Sequence, residues 1–260
     1  RVDAPETLIC MRMFAVAQAA TWGQPPEHTQ LLQGVIDAEA VSAAYAARNY
    51  SANPSGALTM YCGPDGCDSG ARVNVMLRNP GDPFGGELGR MQPVVFVPLE
   101  GQAQLISSPY LPALEASVAT ASGESPSLAD SPDYQTAVRA LTESSTLLQA
   151  YFVNGEAFGE LADAAPLPAY SLAVLAETET DDGVTASITL IFPTQADAEA
   201  AVSILETRME TLSTGRSSET FAATLKDRGV LFETQTAEDA ETGLGLLQFT
   251  FHEPEDERSA

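Results

Sequence analysis

The chain has 260 residues, 44% hydrophobic and 18% charged, the composition of a folded protein with a sizeable core rather than of a disordered segment. Its 36 acids against 12 bases give a net charge of −24, which argues against phosphate-led nucleic-acid binding and against docking the surface as a whole onto an anionic membrane. No run approaches the roughly 18 apolar residues that a membrane-spanning segment needs, and the charge favours solubility, cation attraction or a protein partner with a basic surface.

In chain order, Thr7 to Ala20 reads as an N-terminal helix in which Cys10 is a small buried hydrophobe. The apolar stretch Leu8–Ala20 is broken by Arg12 and Gln18 and lacks the basic flank and cleavage site of a signal peptide; Arg1 in place of Met suggests a trimmed start. Trp22 to Pro26 reads as a loop and Thr29 to Ile36 as a strand. Asp37 then caps a helix to about Arg48, with Val41, Ala44 and Tyr45 on one face and acids in the first turn, where the helix dipole favours them. Asn49 to Gly56 is turn-rich. Ala57–Cys62 and Ala71–Arg78 read as strands around a cysteine loop, followed by a second loop, Asn79–Gly89, dense in backbone punctuation. Pro93–Leu99 and Ala103–Ser107 form a strand pair, and Ser108-Pro109 opens a helix to about Ala121.

Ser122–Ser131 is a Ser/Pro/Gly-rich connection. Ser131-Pro132-Asp133 starts a further helix, with Val138, Leu141, Ser145 and Leu148 at helical spacing. Pro166 and Pro168 mark the boundary between modules, giving an N-terminal module 1–165, a C-terminal module 166–252 and a mobile acidic tail 253–260. Tyr170, Leu172, Val174 and Ala176 alternate in one strand and Val184, Ala186, Ile188, Leu190 and Phe192 in the next, with Asp181-Asp182-Gly183 as the hairpin turn. Thr194 caps a helix burying Ala198, Val202, Leu205, Met209 and Leu212, and Ser217 or Ser218 starts a shorter one. Val230–Gln235 and Leu244–Phe251 are the last strands. Alternation of this kind buries one sheet face. The expected fold is therefore α+β: two α/β-sandwich-like modules, each a mainly antiparallel sheet with helices packed on one face.

Cys62-Gly63-Pro64-Asp65-Gly66-Cys67 is the strongest local chemical signal. Proline presets φ and glycine accepts positive φ, so the turn brings the cysteines together. A Cys62–Cys67 disulfide is the favoured reading and implies an extracytoplasmic setting, whether periplasm, cell surface or secretion. A half zinc site or two free thiols are the alternatives, although only Cys10, His28 and His252 could complete a zinc shell with histidine or cysteine. Asp65, Asp68 and Asp82 are candidate calcium ligands, with ordinary turn aspartates as the simpler reading. No other cofactor is indicated. Asn49-Tyr50-Ser51 fits a glycosylation sequon.

His28 lies beside Pro25-Pro26 and His252 runs into Glu253-Pro254, so neither builds a metalloprotease helix, and both read as surface histidines. A nucleophile elbow, a Walker loop and a dinucleotide fingerprint after a strand are all absent. Gly85-Gly86-Glu87-Leu88-Gly89 lacks the Lys and Ser/Thr of a phosphate cradle and reads as a flexible turn. No catalytic residue is nominated.

Asp37-Ala38-Glu39-Ala40-Val41 and Asp197-Ala198-Glu199-Ala200-Ala201-Val202 echo each other, each after an apolar stretch, with Arg48 and Arg208 the same distance behind. Fixed-offset self-similarity predicts an internal duplication. Together with Ser127 to Tyr134 and Tyr170-Ser171-Leu172, these words resemble those of uncharacterised bacterial extracytoplasmic, lipoprotein-like two-module α/β proteins. The resemblance implies architecture and compartment, and assigns no catalytic residue. The expectation is a non-enzymatic extracytoplasmic protein acting through protein–protein contacts, as an accessory subunit of a cell-surface assembly. The alternative is a small-ligand or calcium-binding module using the Cys62–Cys67 and Asn79–Gly89 loops.

Overall fold

The computed structural model describes residues 16–24, 27–55, 57–68, 70, 72–79, 81–143, 145–155, 165–180, 183–212, 220–227 and 230–252. Among the described residues, two antiparallel sheets organise the chain, one of six strands and one of five, with five α-helices, and the class is α+β as expected. The chain divides into Arg1–Ser127 and Leu128–Ala260. The boundary thus falls in the Ser/Pro/Gly-rich connection rather than at 165/166. Residues read as the end of the first module pair instead with the second sheet, which the local pattern around Pro166 could not reveal. The tail 253–260 and Cys10 lie outside the described residues.

In the first unit the strands are β1 (Val16–Gln24), β2 (Glu27–Gly34), β3 (Ser51–Ser55), β4 (Leu58–Cys62), β5 (Val94–Leu99) and β6 (Gln102–Ser107), in the order β1-β2-β6-β5-β4-β3. Helix α1 (Ala38–Ala47) follows β2, and α2 (Leu111–Ala121) follows β6. Asp37 caps α1 as expected, accepting from the Glu39 and Ala40 N–H groups. Helix α1 sets Val41 and Tyr45 on Tyr61, Val94, Phe96 and Leu105. Leu114 of α2 packs on Val95, Val97 and Ile106. These are alternate residues of the same strands, so the helices cover opposite faces and β5 is buried on both sides.

Four local expectations change here. Val16–Ala20, read as helix, is part of β1, and Trp22, read as loop, pairs with Thr29 across the β1–β2 hairpin; the rest of that expected helix, 7–15, lies outside the described residues. Ser51–Ser55, read as turn, is the edge strand β3, where Pro54 is tolerated because one side of the strand needs no ladder partner. Of Ala71–Arg78, read as a strand, the described part Arg72–Arg78 joins neither sheet.

The second unit begins with α3 (Pro132–Thr142), then β7 (Thr146–Asn154), β8 (Leu172–Thr180), β9 (Gly183–Phe192), α4 (Gln195–Thr211), α5 (Phe221–Asp227), β10 (Leu231–Glu238) and β11 (Gly245–His252), with sheet order β10-β11-β9-β8-β7. Ser145 and Leu148, expected on the helix, lie beyond it: α3 ends at Thr142, and the β-favouring run Tyr151-Phe152-Val153 is strand. Thr180 pairs with Gly183, as a two-residue hairpin requires, with 181–182 outside the described residues. Ala198 and Ala201 of α4 pack on Ala173, Leu190, Phe192, Leu247 and Phe249. Ala137 and Leu141 of α3 pack on Leu172, Val174 and Ile191, the alternate residues. Helices again cover both faces rather than one. Small side chains explain the misreading: Ala173 and Ala176 bury opposite faces of β8 without announcing either.

The two sheets share a route. In each, a helix follows the strand (β2 or β9) that pairs with the last strand of its sheet (β6 or β11), and the chain then enters at an edge (β3 or β10). The echoed aspartates, however, occupy different helix positions. Asp37 is the N-cap of α1, whereas Thr194 caps α4 and Asp197 donates its backbone N–H to the Thr194 hydroxyl three residues earlier.

One polar ligature ties α3 to the β10–β11 turn. Arg139 grips Asp239 with Nε at 2.8 Å and Nη2 at 2.7 Å, and Asp239 also accepts from the Thr242 N–H at 2.9 Å. The Arg139 fork holds the Asp239 carboxyl well below the usual carboxylate range. Its contribution to stability is therefore present above the unfolded value near pH 4 and is lost as pH falls through the lower folded value. Asp239→Asn should lower the melting temperature by a few degrees at pH 7. Calorimetry across the acid limb should show wild type and variant converging as that carboxylate protonates.

Candidate functional site

The loops that join β4 to β5 form a built platform at one side of the first sheet. It begins at the end of β4, where Gly63 accepts from the Gly66 N–H at 2.9 Å across the Pro64-Asp65 turn. This is the geometry proline and glycine were expected to impose. Cys62 and Cys67 are joined as a disulfide, with Cα atoms 4.7 Å apart, and Cys62 is buried at the strand end. Asp65 and Asp68 stand exposed on this loop.

Asp82 has a different fate. Its side chain is 4% exposed, and the Arg48 guanidinium at the C-terminus of α1 pairs with it. Asp82 Oδ1 also accepts from the Phe84 N–H at 3.0 Å, and Phe84 is driven into the core beside Tyr45 and Val94. Burial raises the Asp82 carboxyl above its ordinary range, against the opposing pull of Arg48 and the Phe84 N–H. Arg48 lies over the rings of Tyr45 and Tyr50, 5.5 and 5.2 Å from their centroids, and Tyr45 stacks on Tyr61 at 5.0 Å. The Tyr50 hydroxyl donates to the Gln92 carbonyl at 3.1 Å. Burial pushes both the Tyr45 and Tyr50 phenols well above the usual tyrosine range, so neither titrates near neutral pH. The cluster clamps the loop to helix and sheet.

The three expected calcium ligands are thus not used alike: Asp82 is committed to Arg48, and the other two face solvent. Among the described residues, no group of three or more His, Cys, Asp or Glu side chains could hold a metal. His28 sits on β2 opposite Gly23, half-buried rather than on a loop. His252 ends β11.

The loop beyond Asp82 is anything but a slack turn. Gly86–Leu88 is a 3-10 turn bracketed by Gly85 and Gly89, both with positive φ. A Cβ on Gly89 would stand 1.8 Å from the Asn74 carbonyl oxygen, and one on Gly86 2.4 Å from that of Asn79. Glycine is required because two backbone segments touch.

What this base carries was missed in the sequence. Arg72–Arg78 is exposed throughout. Val73, Val75, Met76 and Leu77 are 54, 67, 88 and 50% exposed. The segment is ordered despite this: Val75–Leu77 is a second 3-10 turn, the Asn74 side chain accepts from the Met76 N–H at 3.1 Å, and the Asn74 carbonyl accepts from the Leu77 N–H at 2.9 Å. Arg78 Nε donates to the Glu87 carbonyl at 2.6 Å. Val73-Asn74-Val75 alternates like a strand, which concealed the turn; the Asn74 cap was the available signal. The chain was also compared with family models, curated proteins and solved structures. Nothing matches in any of the three.

Proposed function

We propose that the protein is a non-enzymatic extracytoplasmic interaction module, an accessory subunit of a cell-surface assembly, and that Arg72–Arg78 is its contact loop. The observation carrying this reading is the pinned display of four neighbouring apolar side chains. Water is a poor solvent for such a surface, and the Asn74 turn and Gly89 contact have already removed the backbone freedom that a partner would otherwise have to freeze out. Composition supports a protein partner: interface cores are enriched in Met and Arg and depleted in Lys, Glu, Asp and Ser, and the segment holds Arg72, Met76 and Arg78 with none of the latter. Its two cations disfavour a basic partner at this point, whatever the acidic remainder attracts. The Cys62–Cys67 disulfide supports an oxidising compartment, and the common route of the two sheets supports an internal duplication.

A photo-crosslinking side chain placed at Met76, on the protein exposed to its native source, tests the reading. The expected product is a discrete protein adduct, suppressed at least tenfold by adding Val75→Asp, with folding unchanged because both positions face solvent. A lipid adduct, or no adduct, would overturn it.

A further inference from the structure

The two sulfurs of the Cys62–Cys67 bridge stand in unlike surroundings. Cys62, at the end of β4, is 2% exposed, whereas Cys67 is only half-buried on the turn. A thiolate approaches a disulfide along the line of the S–S bond, so the covered sulfur is closed to attack and the open one is not. Asn53 of the edge strand β3 donates its amide Nδ2 to Cys62 Sγ at 3.5 Å, and the same amide donates to the Ser51 carbonyl at 3.3 Å, which holds it in place. A donor aimed at that sulfur stabilises negative charge on it, offsetting the burial that disfavours a Cys62 thiolate. The bridged residues are only five positions apart, and the turn inside the bridge is held independently by the Gly66 N–H on the Gly63 carbonyl. Opening the bridge therefore frees little chain, and the first unit keeps its core of Val41, Tyr45, Phe84 and Leu105. What loses a tie is the chain leading to Arg72–Arg78, which beyond Cys67 is held by the Gly70 N–H on the Pro109 carbonyl at 2.8 Å and then by the Asn74 turn.

We infer that Cys67 is a thiol-exchange site, through which a dithiol opens the bridge in the folded protein and loosens the root of the contact loop. One thiolate of the dithiol attacks Cys67 Sγ. The S–S bond breaks, and its electron pair leaves on Cys62 Sγ beside the Asn53 amide. The Cys62 thiolate then takes a proton from water. The second thiol of the dithiol, as its thiolate, attacks its own sulfur in the mixed disulfide, and Cys67 leaves and is protonated in turn. The protein bridge has gained two electrons and two protons, and the dithiol has become a disulfide. Asp65 and Asp68 stand exposed on either side of Cys67, so the site favours a reductant without negative charge around its thiol. Only the effect on partner binding rests on the contact-loop reading; the exchange chemistry does not.

The test treats the oxidised full chain, without denaturant, with the neutral monothiol 2-mercaptoethanol, quenches in acid, caps free thiols with a maleimide and maps the peptides. The expected product carries the mixed disulfide on Cys67 and the cap on Cys62, with Trp22 fluorescence unchanged. At matched thiolate concentration a cationic aminothiol should react several-fold faster than an anionic mercaptosulfonate, and about 0.5 M NaCl should narrow the gap. Asn53→Ala, at an exposed position, should slow opening by about threefold or more without moving the melting temperature. Reduction with dithiothreitol should speed amide exchange at Gly70, Met76 and Leu77 and leave the Leu105 amide protected. Adduct on Cys62, opening only as fast as the protein unfolds, Asn53→Ala at the wild-type rate, or unchanged exchange at Gly70 would overturn the inference. None of these readouts needs a partner, so a missing Met76 adduct would remove the contact-loop reading and leave the exchange site standing.

Discussion

Asp82→Ala should destabilise the first unit by about 3–5 kcal/mol, the usual cost of removing one partner from a buried ion pair. The loss is not that of one attraction. The Arg48 guanidinium would remain covered by Tyr45 and Tyr50 without its carboxylate, and the Phe84 N–H would lose its acceptor where Phe84 enters the core. Removing both charges, as in Arg48→Met with Asp82→Ala, should cost clearly less than the sum of the single changes, because the double variant leaves no buried charge behind. Urea unfolding followed by the fluorescence of Trp22, the only tryptophan and a residue of β1, reads this unit directly. Additive single-variant costs would show that the two residues do not act as a pair.

Gly89→Ala should be nearly as damaging, on the order of 2–4 kcal/mol, through two separable terms. The first is conformational, since φ of +68° is costly for any residue with a Cβ. The second is contact, because the new methyl would overlap the Asn74 carbonyl at 1.8 Å. Gly123→Ala isolates the first term: φ there is +76°, but nothing lies within 4 Å, and about 1 kcal/mol is expected. Since Asn74 nucleates the turn beneath Met76 and Leu77, Gly89→Ala should also speed amide exchange at those two residues, which Gly123→Ala should leave alone. Equal costs for the two variants would remove the argument that the contact loop is held from below.

Much of the frame could be read from local pattern. The Asp37 cap, the tight cysteine turn and the Pro-led start of α3 each depend on residues within a few positions of one another, and each appears where expected. Helix α2 instead starts at Leu111, two residues past the expected Pro109. In β9 Ser187 and Thr189 are buried while Val184 is exposed, so the expected one-sided alternation does not hold. The failures share a cause. Val16–Gln24 is a strand only because β2 lies beside it, and Asp82 is an ion-pair partner only because folding brings Arg48, 34 positions earlier, against it. Nothing near Asp82 in the chain distinguishes it from the turn aspartates Asp65 and Asp68.

Taken alone, the sequence determined the α+β class, the two-sheet plan, the charge that disfavours polyanions and the turn that closes the disulfide, because composition, period and turn chemistry act over short distances. Tertiary structure decided the rest: which helix covers which face, where the units divide, which aspartate is spent on clamping a loop, and that Val73–Leu77 is held out to solvent rather than laid into a sheet. Those outcomes depend on burial and on partners distant in the chain, and burial belongs to the assembled fold rather than to any stretch of residues.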